Sequence, residues 1–174
     1  QFQLSRPLIQ EHYRQESPKI MISIEHMSAL PHYFKDIPDT RRSQGRRHPQ
    51  HVVLALAAGA TLCGMEGYKA IGGWVKDLGA KARERFGCRI DKRVRIVPSE
   101  STLRDVIIRA DPVALDRALA RWNADYGQQD QSLAIDGKTM RNAIDEEGRQ
   151  THIMSVVGHD SSQCYTQKKS APCP

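Results

Sequence analysis

The sequence predicts an α+β protein, with a helical N-terminal region followed by strands. Three observations predict it. Apolar residues recur at helical spacing between Pro49 and Tyr126, whereas short apolar runs punctuated by turn residues follow Gly127. Asp111-Pro112 and Pro98-Ser99 supply helix starts where that periodicity needs them. The 174 residues are 39% hydrophobic and 26% charged, enough apolar material for a core and too much for wholesale disorder. The shift near Gly127 divides the chain into an extension, 1–27, a helical domain, 28–127, and a strand-forming segment, 128–174.

Residues 1–20 mix charges and prolines without periodicity. The chain starts at Gln1 and its first methionine is Met21, as expected of a fragment or of a frame opened upstream of a start at Met21 or Met27. A short helix over 28–36 is expected next, with Ser28 as its cap and Leu30, Tyr33 and Phe34 on its apolar side. Ile37-Pro38-Asp39 ends it. Arg41, Arg42, Arg46, Arg47, His48 and His51 cluster around Gly45. They read either as a solvated loop or as a basic arm touching phosphates. Pro49 opens a helix whose Val52–Leu62 run is apolar on every face, so it belongs at the centre of the core, and Gly64 and Gly67 end it.

Tyr68, Ile71, Trp74, Val75, Leu78 and Ala82 define one further helix, with Trp74 read as core. Gly72 and Gly73 inside it mark close packing or a kink. Lys81, Arg83, Arg85, Arg89, Lys92, Arg93 and Arg95 form the most basic stretch, poor in aromatics and so suited to backbone phosphates rather than to base stacking. A helix capped by Ser99 or Ser101 buries Leu103, Val106, Ile107 and Ala110. The helix after Asp111-Pro112 carries Leu115, Ala118, Leu119, Trp122 and Tyr126 on one face. The pair reads as an ordinary helical hairpin in preference to a helix-turn-helix reader, because the exposed face of its first helix offers only Arg104 and Arg109 with Asp105 between them.

Leu133-Ala134-Ile135 reads as a short strand that ends by presenting Asp136 beside a turn at Gly137, with Lys138 and Arg141 close behind. His152–Val157 is its antiparallel partner across a turn at Asp145–Gly148, and Cys164–Lys168 starts a third strand. The first strand pair is expected to expose an apolar edge. By itself Asp136 reads first as a turn aspartate and second as a ligand for a hard cation. Asp145, Glu146, Glu147 and Asp160 are the only later acids, and none is well placed beside it.

A net charge of +6, with seven histidines counted neutral, favours an acidic partner such as nucleic acid. Cys63, Cys88, Cys164 and Cys173 form no C-x-x-C pair and have no zinc-finger histidines, so they read as thiols in a reducing cytoplasm rather than as a zinc site. The longest apolar run, about a dozen residues, falls short of the roughly 20 that span a bilayer, so no membrane partner is expected.

Asp39-Thr-Arg-Arg, Arg46-Arg-His-Pro49, Gly67-Tyr-Lys-Ala-Ile-Gly-Gly-Trp74, Pro98-Ser-Glu-Ser-Thr-Leu-Arg104, Asp111-Pro112 and Ala134-Ile-Asp-Gly-Lys-Thr-Met-Arg141 occur in order over roughly residues 28–169. This series resembles bacterial insertion-sequence transposases, specifically the H-repeat-associated group of the DDE superfamily. The resemblance implies a helical associated domain followed by a truncated RNase H-like catalytic domain. It implies that Asp136 is the first of three acids that bind Mg²⁺ or Mn²⁺, the other two falling beyond Pro174. It implies metal-dependent cleavage and strand transfer of double-stranded DNA at transposon ends, in the cytoplasm, with self-association of the protein.

Two readings follow. In the first, the chain is a transposase piece without strand-transfer activity of its own, so its standing as an enzyme is open. In the second, it is a non-catalytic basic module acting on transposon ends or on a full-length transposase. The expected DNA-contacting residues are Arg41, Arg42, Arg46, Arg47, Lys92, Arg93, Arg95, Lys138 and Arg141. A product with no role at all is the remaining expectation.

Overall fold

The computed structural model describes residues 23–126, 133–144, 148, 150–158 and 164–170. Its organising element is helix α2 (Gln50–Leu62), where Val52, Val53, Leu54, Ala55, Leu56, Ala57, Gly59 and Ala60 are all buried. A helix apolar all round cannot lie on a surface, so other elements must cover it on every side. Helices α1 (Ile24–Tyr33), α3 (Gly67–Asp77) and α5 (Glu100–Arg109) pack against it. Helix α6 (Pro112–Tyr126) closes the far side of α1, where Trp122 is buried and its indole Nε1–H donates to His26 O at 3.0 Å. The core joins Leu30, Phe34, Val53, Leu56, Val75, Leu103 and Val106 in one cluster.

Local chemistry explains most of the ends. Ser99 Oγ accepts from Thr102 N at 3.3 Å and caps α5, as expected. Asp111 Oδ1 accepts from Val113 N at 2.9 Å, and Pro112 takes the first position of α6, where its missing N–H costs nothing. Gly64 and Gly67 close the α2–α3 turn at φ of 81° and 77°.

Three expectations are corrected. Helix α1 starts at Ile24, inside the expected extension, and its cap is Ser23, whose side chain accepts from His26 N; Ser28 lies within the helix and donates to Glu25 O. The helix expected to run from Tyr68 to Ala82 breaks at Leu78-Gly79, and a short helix, α4 (Ala80–Arg85), resumes it. The remainder of the basic stretch is a hairpin, β1 (Ile90–Asp91) and β2 (Val94–Arg95).

The C-terminal segment is a three-stranded antiparallel sheet in the order β3-β4-β5, formed by Leu133–Ile144, Gln150–Gly158 and Cys164–Ser170. The expected pairing of the first two strands is present, with Ile135 opposite Val156. Strand β3 is four times longer than its apolar run, because β4 supplies pairing partners through Met140. Asp136 therefore sits inside the strand opposite Ser155, and Gly137 continues it opposite Met154 instead of turning. The turn expected at 145–147 and the residues 159–163 lie outside the described residues. Ile135, Met140, Ile144 and Met154 are exposed on this sheet, in keeping with the apolar exposure expected of it. Asn123 Nδ2 on α6 donates to Cys164 O at 3.0 Å and ties the sheet to the helices.

Two glycines separate packing from propensity. A Cβ on Gly59 of α2 would lie 2.9 Å from Phe86 Cζ, whose ring meets Trp74 edge-on. A Cβ on Gly73 of α3 would meet nothing within 4 Å. Gly59→Ala is expected to lower unfolding free energy by about 1–3 kcal/mol through overpacking. Gly73→Ala should raise it by up to about 1 kcal/mol through helix propensity. Urea melts of the two variants check both, and equal signs would contradict the packing assignment.

Candidate nucleic-acid interface

The loop between α1 and α2 is wound around one arginine. Arg41 is 5% exposed, and its guanidinium is directed inward. Nε donates to Asp39 Oδ1 at 2.9 Å and Nη2 to Asp39 Oδ2 at 2.9 Å, a bidentate pair. Nη1 donates to Gly45 O and Nη2 to His48 O, each at 2.9 Å. Arg46 adds a second clamp, Nε to Arg41 O at 2.7 Å and Nη2 to Asp39 O at 2.8 Å. Gln50 Nε2 fastens the loop base to Pro38 O at 2.9 Å. The Arg41 hydrogen bonds hold the Asp39 carboxyl below the usual carboxylate range, with Arg46 adding to the effect. This winding leaves Arg42 and Arg47 exposed, their side chains without a hydrogen bond or ion pair among the described residues.

The basic stretch sorts its cations in the same way. Gly87, at φ 73°, ends α4, and Cys88 N donates back to Arg83 O at 2.9 Å. Arg83 Nε donates to Leu78 O at 2.7 Å and its Nη1 to Arg95 O at 3.2 Å. Arg95 Nη1 donates to Cys88 O at 2.9 Å and its Nη2 to Glu84 Oε1 at 3.1 Å. Arg89 pairs with Asp91 at 2.9 Å. These three arginines secure the base of the hairpin. Lys92 and Arg93 form its two-residue tip, exposed and unpartnered among the described residues.

His48, in the loop, feels charges from both basic segments. That side chain is buried, and burial pushes its pKa down. The positive charges of Arg89, Arg47 and Arg41 push it the same way.

The expected DNA-contacting residues accordingly divide. Arg42, Arg47, Lys92 and Arg93 face solvent, whereas Arg41, Arg46 and Arg95 bond to the chain's own carbonyl and carboxyl groups. Lys138 is exposed on β3, and the side chain of Arg141 lies outside the described residues. What sequence reasoning missed is the hairpin turn. Asp91-Lys92-Arg93-Val94 contains no glycine or asparagine, the residues that normally announce such a turn.

The sheet offers a different arrangement. Directly paired residues share a face, so Asp136, Ser155 and Gln167 form one cross-strand row, and Lys138, Ile153 and Lys169 form the next. On the other face Thr139 Oγ1 and His152 Nδ1 are 2.9 Å apart. Asp136 is exposed, with no ion pair among the described residues. No group of three or more His, Cys, Asp or Glu side chains converges among the described residues. Among the described residues Asp136 is the one carboxylate in these two rows, beside Lys138 and Lys169.

The sequence is similar to that of known proteins. The DDE_Tnp_1-associated family matches residues 31–123, the segment holding the loop, the hairpin and all of α2 to α5. "H repeat-associated putative transposase YbfD" of Escherichia coli K12 is 26% identical over 152 residues, covering 83% of this chain and 58% of that protein. "Putative transposase YncI" of Escherichia coli O157:H7 is 24% identical over 151 residues, covering 83% of this chain and 37% of that protein. The chain thus spans between about a third and three fifths of the length of these relatives. No solved structure matches it. Among the described residues no helix is long and apolar enough to cross a membrane.

Stability should report the loop directly. Arg41→Ala leaves Asp39 and two carbonyls without their partner and is expected to cost about 3 kcal/mol. Asp39 and His48 both have folded pKa values below their unfolded ones. For each, stability is full above the unfolded pKa and falls as pH drops toward the folded pKa. Melting temperature should therefore start to fall below about pH 6.5, when the unfolded chain takes up the His48 proton first, and fall again through the carboxylate range. His48→Gln should flatten the first fall, and an unchanged slope between pH 7 and 5.5 would refute the assignment.

Proposed function

The chain belongs to the DDE_Tnp_1-associated family of transposase proteins, and from that premise we propose that it acts in DNA transposition as a duplex-binding module. The observation that carries this reading is the outward set of exposed cations whose side chains have no partner among the described residues, Arg42 and Arg47 on the wound loop and Lys92 and Arg93 on the hairpin. The internal arginines make the two segments rigid, so the outward cations are held in place before DNA arrives. Phosphate contact is the chemistry such a set performs, and it is independent of base sequence. The names of the relatives support a transposon end as the DNA concerned.

Asp136 has a different part in the proposal. Its Ile-Asp-Gly-Lys motif supports a part as the first acid of a DDE metal site on a sheet of RNase H-like type, with Mg²⁺ or Mn²⁺ as its partner. The described residues offer it no second carboxylate. Cleavage and strand transfer are proposed to need more acids than the described residues bring together, and the chain alone is proposed to be inactive. A role in regulating a full-length transposase uses the same cationic surface, and self-association would place two such surfaces on paired ends.

A mobility-shift titration of the purified chain tests this. Duplex carrying terminal repeats should be retained, with log K falling against log salt at a slope of about −4 for four phosphates. Binding no tighter than to random duplex would remove recognition of ends, and no binding at low salt would refute the reading. With Mg²⁺ or Mn²⁺ the same DNA should stay un-nicked; nicking that vanishes in Asp136→Ala would show that the chain is itself catalytic.

A further inference from the structure

We propose that the hairpin Ile90–Arg95 is a groove-entering finger for duplex DNA rather than a structural turn. The inference rests on the DNA-binding reading above and locates its main contact. Three observations carry it.

The first is conformational. Lys92 and Arg93 have φ of 45° and 68°, the left-handed region that a two-residue turn between twisted strands requires at both central positions. Asn-Gly occupies that conformation readily, whereas long side chains rarely do, and each costs stability there. Two long cationic side chains held in an unfavourable backbone conformation point to a use for the charge at that spot.

The second is exposure. Ile90 pairs with Arg95 and Asp91 with Val94, so Ile90 and Val94 lie on opposite faces of the ribbon. They are 61% and 58% exposed. A ribbon lying on the core would cover one face. This one covers neither apolar side chain and projects outward. The major groove, about 12 Å wide, admits a two-stranded ribbon. With the ribbon lying along the groove, its two faces carry Ile90 and Val94 and its end carries Lys92 and Arg93 to the flanking phosphates.

The third is anchorage. Arg83 bonds to Arg95 O, Arg95 to Cys88 O and Glu84, and Ile96 N to Arg89 O at 3.0 Å. The base is fixed, while the side chains of the tip are exposed and unpartnered among the described residues.

The test uses the turn's own chemistry. The double variant Lys92→Asn with Arg93→Gly removes both charges and installs the residues that the turn prefers. Its melting temperature should equal or exceed the parent's, so weaker binding cannot come from unfolding. Duplex affinity should fall about ten- to thirtyfold at physiological salt, and the salt slope should shrink by about 2. Ile90→Thr with Val94→Thr should weaken binding several-fold with the slope unchanged, because it removes apolar contact and no charge. Lys69→Gln with Arg117→Gln takes the same charge from α3 and α6 and should matter far less.

Parent-like binding by the hairpin variant overturns the proposal while leaving the DNA-binding reading intact. An equal loss in the α3 and α6 variant overturns it in favour of net charge alone. A parent chain that binds no duplex overturns both.

Discussion

Everything in the helical domain answers to one constraint: α2 has no polar face. Six consecutive residues, Val52 to Ala57, are buried, and each large one contributes about 1.5–3 kcal/mol only if something covers it. Four consequences follow. Helices α1, α3 and α5 surround it, α6 braces α1, Gly59 lets the Phe86 ring approach, and Gly72 lets α3 close on Glu100. The chain entering α2 must also arrive at its buried first turn, where Gln50 is itself 6% exposed. That requirement explains the wound loop. Its inward polar groups are satisfied from within by Arg41, Arg46 and Gln50.

The same requirement divides the cations by role. A buried guanidinium loses several kcal/mol of hydration, and only near-complete hydrogen bonding offsets that. Arg41 and Arg95 make such bonds, so they are structural, and they hold the neighbouring cations outward. Arg42 and Arg47 alternate with inward groups along a tight loop; Lys92 and Arg93 crown a ribbon whose base is pinned. The functional surface is thus a by-product of how the core's polar rim is satisfied, which is why stability and DNA affinity are expected to depend on different arginines only a residue or two apart.

Asp136 illustrates the converse. In the helical domain position follows from burial. In the sheet it follows from pairing, because β3 is held by β4 along its length while Ile135 is 70% exposed. Pairing places Asp136 in a row with Ser155 and Gln167, beside Lys138 and Lys169. That row orders a carboxylate without giving it a second acid, so the sheet and the cationic surface have separate parts in the proposed function.

Several features were legible in the sequence because they rest on local chemistry. The apolar run of α2, the Ser99 cap, the Asp111-Pro112 restart and the β3–β4 pairing each follow from residues close together in the chain. The positions of Arg42 and Lys92 in a basic context were legible too. What a charged residue does with its charge was not. Arg41 and Arg42 are adjacent and chemically identical, yet one is buried against Asp39 and the other faces solvent. The break at Leu78-Gly79, the left-handed Lys92-Arg93 turn and the length of β3 were likewise decided by packing and strand partners distant in sequence. The sequence by itself determined which elements form and where cations concentrate, because propensity, capping and charge are local. Only the tertiary structure decided which cations remain available, because that depends on which carbonyls and carboxylates the fold brings within hydrogen-bonding reach.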